Sequence, residues 1–311
     1  MNVINKILVL IESQQQVSHL VSKARQLALA TGARLELFSC CYCQSLSSSY
    51  PFDTEGREHA KHGYLHGTEK WLDELVQPLL DEGIEVSFDV YWERHMDRGM
   101  LTKIERYDPD LVIKDCRFHH RIDQHIFGHV DWELIRHCSL PLLLVRPGDW
   151  RDRPRIVAAV DPVHSHDKSV SLDMQILASA KSFCDWLQGG LSVFHSFQPL
   201  PMSVIVDDTL MLDYKLFKDN LRRTHQQAME GLLQQFGLED EQVDTQLAEG
   251  EAHLALPEYL EKEGANVVVL GAMTRGVLDR FFIGSTSEMA LDHIPCDVLI
   301  IKELGNSGAV V

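Results

Sequence analysis

The run Cys296-Asp297-Val298-Leu299-Ile300-Ile301-Lys302 decides the architecture, because the chain carries a counterpart of it. Leu140-Pro141-Leu142-Leu143-Leu144-Val145-Arg146 stands 156 positions upstream. The same offset pairs Asp110-Leu111-Val112-Ile113 with Asn266-Val267-Val268-Val269, Leu35-Glu36-Leu37-Phe38 with Leu191-Ser192-Val193-Phe194, and Gly128 with Gly284. The opening runs Ile7 to Glu12 and Ile156 to Asp161 match at 149, so the second copy holds about seven extra residues in or near its first helix. A repeat of this length is two domains in tandem.

Each copy alternates strands and helices. In the first, strands are predicted near 6–11, 34–39, 85–90, 110–114 and 141–145, and helices near 15–31, 57–81, 97–106 and 129–138. In the second, strands are predicted near 156–160, 191–195, 243–247, 267–270 and 298–302, and helices near 168–187, 210–236, 253–263 and 285–293. The last two strands of each copy are almost purely aliphatic, which requires cover on both faces. The expected fold is α/β: two tandem Rossmann-like domains, each a five-stranded, mostly parallel sheet between helices. The expected boundaries are 1–147, a polar linker at 148–155, 156–304 and a tail at 305–311.

The 311 residues are 45% hydrophobic and 24% charged, the profile of a globular protein, with a net charge of −17. That charge opposes non-specific binding to nucleic acid or to an anionic membrane. No apolar run reaches the ~20 residues of a membrane span. The opening Met1-Asn2-Val3-Ile4 passes directly into a strand pattern without a leader-like segment, so the expectation is a cytosolic protein with reduced thiols.

One loop in the second copy carries the chemistry. Gly271-Ala-Met-Thr274-Arg275-Gly276 follows an aliphatic strand, and Gly284-Ser285-Thr286 opens a predicted helix. Glycines between a strand and a helix N-terminus present backbone N–H groups to an anion, and the helix dipole favours negative charge there. The spacing is neither G-x-G-x-x-G nor G-x-x-x-x-G-K-[ST]. Arg275 or Arg280 could add a cationic contact to a phosphate. The simpler account is that Ser285 caps its helix and the arginines are solvated.

These features together resemble the universal stress protein family. They are the tandem five-stranded units, a first strand ending at an acid, a fourth strand leading to a loop that closes on Gly-Ser, and Asp131-Trp132 followed by Cys138 in the first copy. The family's loop is G-x2-G-x9-G-[ST]; Gly271, Gly284 and Ser285 keep that spacing, and Thr274 stands at the second glycine. The resemblance implies ATP or ADP bound in the second domain, with no metal required and no established catalytic reaction. It places Asp161 at the adenine, the segment around Ser196 at the ribose, and Gly271, Gly284, Ser285 and Thr286 around the phosphates. Gly276 would then be the loop's flexible point, with Thr274 turned outward and Arg275 between them. In the first copy, Asp115 stands for Gly271, His129 for Ser285, Val130 for Thr286 and Glu12 for Asp161. That half is expected not to hold ATP in the family's manner; it is structural, or takes a less charged molecule.

Other clusters carry less. His62 and His66 share a helix face, and His119, His120, His125 and His129 crowd the first copy's loop, but zinc needs three or four convergent ligands with supporting partners. Exposed histidines are the plainer account. Cys40-Cys41-Tyr42-Cys43 contains C-x-x-C after a strand, with no helix N-terminus evident to activate a thiol. Ser165, His166 and Asp167 lie too close in sequence for a triad drawn from separate segments. Three functions stay open: a non-catalytic nucleotide-binding module in stress survival acting through protein partners, a slow ATPase using the same loop, and a nucleotide-free scaffold. The halves are expected to pack as a pseudo-twofold pair, and a homodimer stays open.

Overall fold

The computed structural model describes residues 3–15, 17–47, 54–116, 127–163, 170–199, 208–238, 243–272, 291 and 293–302. The chain divides into two units between Trp150 and Arg151.

In the first unit the elements run β1 (Lys6–Ile11), α1 (Ser18–Thr31), β2 (Arg34–Cys41), α2 (Gln44–Ser47), α3 (Thr54–Asp81), β3 (Val86–Trp92), α4 (Met96–Tyr107), β4 (Leu111–Asp115), α5 (His129–His137) and β5 (Leu142–Val145). The sheet order is β3-β2-β1-β4-β5, with every described pairing parallel. Ile7 to Leu10, Leu111 to Ile113 and Leu142 to Val145 are all fully buried, which accounts for their aliphatic runs: a central parallel strand has no solvent face. Each such side chain contributes about 1.5–3 kcal/mol. Helix α1 stops at Gly32, whose φ of 73° is a left-handed conformation that suits glycine and directs its N–H to the Ala28 carbonyl at 2.8 Å.

The second unit repeats the plan: β6 (Arg155–Ala159), α6 (Val170–Leu187), β7 (Gly190–Phe197), α7 (Asp208–Phe236), β8 (Asp244–Glu249), α8 (Ala252–Glu263), β9 (Val267–Ala272) and β10 (Asp297–Lys302). Its order is β8-β7-β6-β9-β10, again parallel throughout. The predicted helix at 285–293 and the tail at 305–311 lie outside the described residues, apart from residues 291 and 293.

The structure differs from the sequence reading in detail. Strands β2, β3, β7 and β8 each run two residues longer at their carboxyl ends than predicted, because backbone pairing continues through Cys41, Trp92, Phe197 and Glu249. The short helix α2 was not anticipated. Within the expected linker at 148–155, Trp150 is buried in the first unit beneath the Lys23 ammonium, 5.7 Å from its ring, while Arg151 donates to Asn266 Oδ1 at 2.7 Å in the second.

In each unit the order reverses between the first strand and the fourth, β1/β4 and β6/β9. Crossovers leave such a pair on opposite faces, so a crevice forms beyond its carboxyl ends. The residues there are Glu12, Lys114 and Asp115 in the first unit, and Asp161, Leu270 and Gly271 in the second.

Candidate functional site

In the second unit, Asp161 follows β6, and its position is fixed from below. Its backbone N–H donates to the buried Asp173 carboxylate of α6, at 3.2 and 3.3 Å from the two oxygens. The strand therefore ends with its last amide satisfied. Asp161 itself is half-buried. On the neighbouring strand Gly271 pairs with Ile301 of β10. A Cβ built on Gly271 would lie 2.8 Å from Leu172 Cδ2 and 2.9 Å from Ile176 Cδ1, both on α6. The glycine thus has a packing reason independent of any phosphate: it lets α6 seat against the sheet directly below the crevice. Ser196 pairs with Ala248 in β7–β8 and is half-buried. Asp161, Ser196 and Gly271 all stand near the carboxyl ends of their strands. Thr274, Arg275, Gly276, Gly284, Ser285 and Thr286 lie outside the described residues.

The same place in the first unit holds a buried ion cluster. Lys114 is fully buried, and its Nζ lies 2.7 Å from Asp131 Oδ1 and 2.9 Å from Glu12 Oε2, and donates to the Asp115 carbonyl at 2.9 Å. Burial works against the ammonium, but Asp131, Glu12 and Asp115 outweigh it and hold its pKa above the usual lysine range. Asp131 moves the other way from a simple ion pair. Its burial raises its pKa despite Lys114, because one cation is shared among three acids and Glu12 adds repulsion. Asp131 Oδ2 also accepts the Gly128 N–H at 2.8 Å, at the start of α5. The chain's own carboxylate therefore sits at the helix N-terminus where a phosphate would be expected, with Lys114 as counterion. A nucleotide held in the family's manner does not fit residues arranged in this way. Sequence reasoning found Glu12 and Asp115 here and took Asp131 only as a mark of the family resemblance, but missed Lys114; the signal was a lysine inside an aliphatic strand, which must find a buried partner.

The remaining clusters are accounted for structurally. His62 and His66 are exposed on α3, with His66 3.6 Å from Glu69. His129 is exposed on α5, while His119, His120 and His125 lie outside the described residues, as do Ser165, His166 and Asp167. No group of three metal-ligating side chains converges among the described residues. Burial pushes the Cys40 thiol up to about 12 and raises Cys41 as well, the reverse of activation. No helix among the described residues is long and apolar enough to cross a membrane.

Comparisons with known proteins agree with this plan. The universal stress protein family profile matches residues 4–146 and 153–302. Universal stress protein E of Escherichia coli strain K12 is 25% identical over 302 residues, covering 95% of this chain and 93% of that protein. A universal stress protein E homolog of Haemophilus influenzae strain Rd is 24% identical over 271 residues, covering 87% and 85%. Among solved structures, a functionally unknown protein from Pseudomonas aeruginosa PAO1 matches with a TM-score of 0.72 at 24% identity, over 96% of this chain and 92% of that one. A universal stress protein from Archaeoglobus fulgidus DSM 4304 matches with a TM-score of 0.65 at 14% identity, over 96% and 98%. Identities this low carry the fold alone, whereas the family profile covers nearly the whole sequence, in two copies. This chain belongs to the universal stress protein family, as a tandem member similar to universal stress protein E.

Proposed function

We propose that the second unit binds ATP or ADP, that the first does not, and that the protein acts in stress survival as a non-catalytic binding module. The observation that carries the contrast is the filling of the crevice. In the first unit Lys114, Glu12 and Asp131 make a closed set of charges there. At the equivalent positions of the second unit the chain has Leu270, Asp161 and Ser287, so the lysine of β4 has no counterpart on β9.

The roles follow from position. The Asp161 carboxylate accepts from the adenine amino group, and Ser196 offers a hydroxyl toward the ribose. The loop from Gly271 through Thr274, Arg275 and Gly276 to Gly284, Ser285 and Thr286 supplies N–H groups, hydroxyls and a guanidinium to the phosphates. The net charge of −17 makes such a local anion site necessary, since the protein's overall field repels a nucleotide. The test is a mass spectrum of small molecules released from the denatured protein, followed by ATP titration into stripped protein. Recovered ATP or ADP, or saturable binding, supports the reading. Neither would leave a nucleotide-free scaffold as the better account.

A further inference from the structure

Two histidines in the second unit play no part in the nucleotide reading, and they meet at its edge. His195 of β7 is 3% exposed, and its Nδ1 lies 3.1 Å from the Val160 carbonyl oxygen. A carbonyl only accepts, so Nδ1 carries the proton and Nε2 of the neutral ring is an acceptor. His225 of α7 places its Nδ1 2.7 Å from that Nε2. It must donate, so its own proton is on Nδ1 and its Nε2 keeps a lone pair. One backbone carbonyl therefore fixes both tautomers in series. Phe197 packs beside the His225 ring, with centroids 5.2 Å apart and planes 26° from parallel.

Val160 immediately precedes Asp161, and the Asp161 charge acts on His225. Burial lowers the His225 pKa from its ordinary value, and Asp161 opposes that shift. The titratable groups acting on the ring are His195 on β7 and Asp161 after β6, the latter held by Asp173 of α6 through its backbone amide. On α7 itself Arg222 and Arg223 precede His225, and Glu230 follows.

We propose that His225, keyed by His195, is a proton-operated gate on the Asp161 position. The neutral ring leaves Asp161 as an anionic acceptor for a ligand's amino group. Protonation keeps the Nδ1 donor to His195 intact, so the relay is not broken, but adds a positive charge that acts on the Asp161 carboxylate and competes with a ligand for it. Ligand binding through Asp161 then weakens as pH falls. The identity of the ligand rests on the nucleotide reading; the relay does not.

The experiment has two arms. In ligand-free protein, long-range proton–nitrogen NMR of the imidazoles, assigned with His195→Gln and His225→Gln, is expected to show Nδ1–H on both neutral rings. His225 should titrate below an ordinary histidine, and Asp161→Asn should lower it further. In the second arm ATP is titrated into wild type and His225→Gln from about pH 8 to about pH 5. Glutamine can still donate to His195 but cannot titrate. Wild-type affinity should fall at least about fivefold more than that of the variant. Parallel pH profiles overturn the gate. An Nε2–H tautomer on either neutral ring, or a His225 titration indifferent to Asp161→Asn, overturns the relay whether or not ATP binds. Absence of ATP binding at every pH fails the nucleotide reading and with it the gate, leaving the relay to the NMR arm.

Discussion

Lys114 and Asp131 stand 2.7 Å apart in the first unit, on a strand end and the first turn of a helix, both almost wholly removed from water. The pair closes the crevice at the point where its counterpart in the second unit is expected to receive a ligand. On the reading proposed above, a duplicated fold serves two uses at one topological position.

Replacing Lys114 with methionine should destabilise the first unit by about 3–5 kcal/mol, because the buried Asp131 and the half-buried Glu12 lose their counterion. The sign of the pH dependence follows from the acids. A carboxyl whose folded pKa is raised favours the folded state while protonated, and that contribution is lost as pH rises through the folded pKa. Denaturant unfolding should therefore show a smaller defect in the variant near pH 5 than near pH 8. A defect independent of pH would mean the loss is one of packing alone.

Gly271→Ala should cost about 1–3 kcal/mol through overpacking, since its Cβ would meet Leu172 and Ile176 below 3 Å. Trimming the neighbour, in Gly271→Ala with Leu172→Ala, should recover part of the overpacking cost relative to the sum of the two single changes. Calorimetric melting of the three variants checks this. Unchanged melting of Gly271→Ala would show that the glycine is not there for α6.

Cys40 should resist alkylation by iodoacetamide at about pH 8, since burial pushes its thiol to about 12 and only the thiolate reacts. Mass mapping of the labelled protein should place modification at Cys40 only after unfolding. Rapid labelling of Cys40 in the native protein would reopen a redox role for the C-x-x-C run.

Thr274→Gly should tighten ATP binding by about fivefold, or roughly 1 kcal/mol, by relieving a β-branched residue where the family's loop has glycine. Isothermal titration of both proteins at one salt concentration decides it. Weaker binding by the glycine variant would show that the Thr274 hydroxyl itself contacts phosphate.

The sheet was legible because its central strands are buried on both faces, and such strands must be aliphatic. Leu142 to Val145 and Val298 to Ile301 can be read without a structure for that reason. The candidate site was legible only where it sits on the repeat: Asp161, Gly271 and Gly284 stand out as candidates because Glu12, Asp115 and Gly128 stand opposite them in the sequence. What escaped were the pairings that only the parallel crossovers create. Lys114 meets Glu12 from 102 positions away. His225 lies in the polar run Arg222-Arg223-Thr224-His225-Gln226-Gln227, which reads as a solvent face, and nothing in its spacing points to His195 on a strand 30 residues earlier. Strand ends were misjudged where pairing continued past the aliphatic run, as at Phe197.

The central claim is that the second crevice binds nucleotide and the first does not. The direct measurement is ATP affinity in two variants, Gly284→Val and Gly128→Val. Gly128 has an ordinary φ of −81°, and among the described residues a Cβ there would approach no atom nearer than Asp131 Oδ2 at 3.7 Å, so the first unit should tolerate the change. The account predicts that Gly284→Val abolishes ATP binding and that Gly128→Val leaves it at the wild-type value. Equal loss from both changes, or loss from Gly128→Val alone, would contradict it.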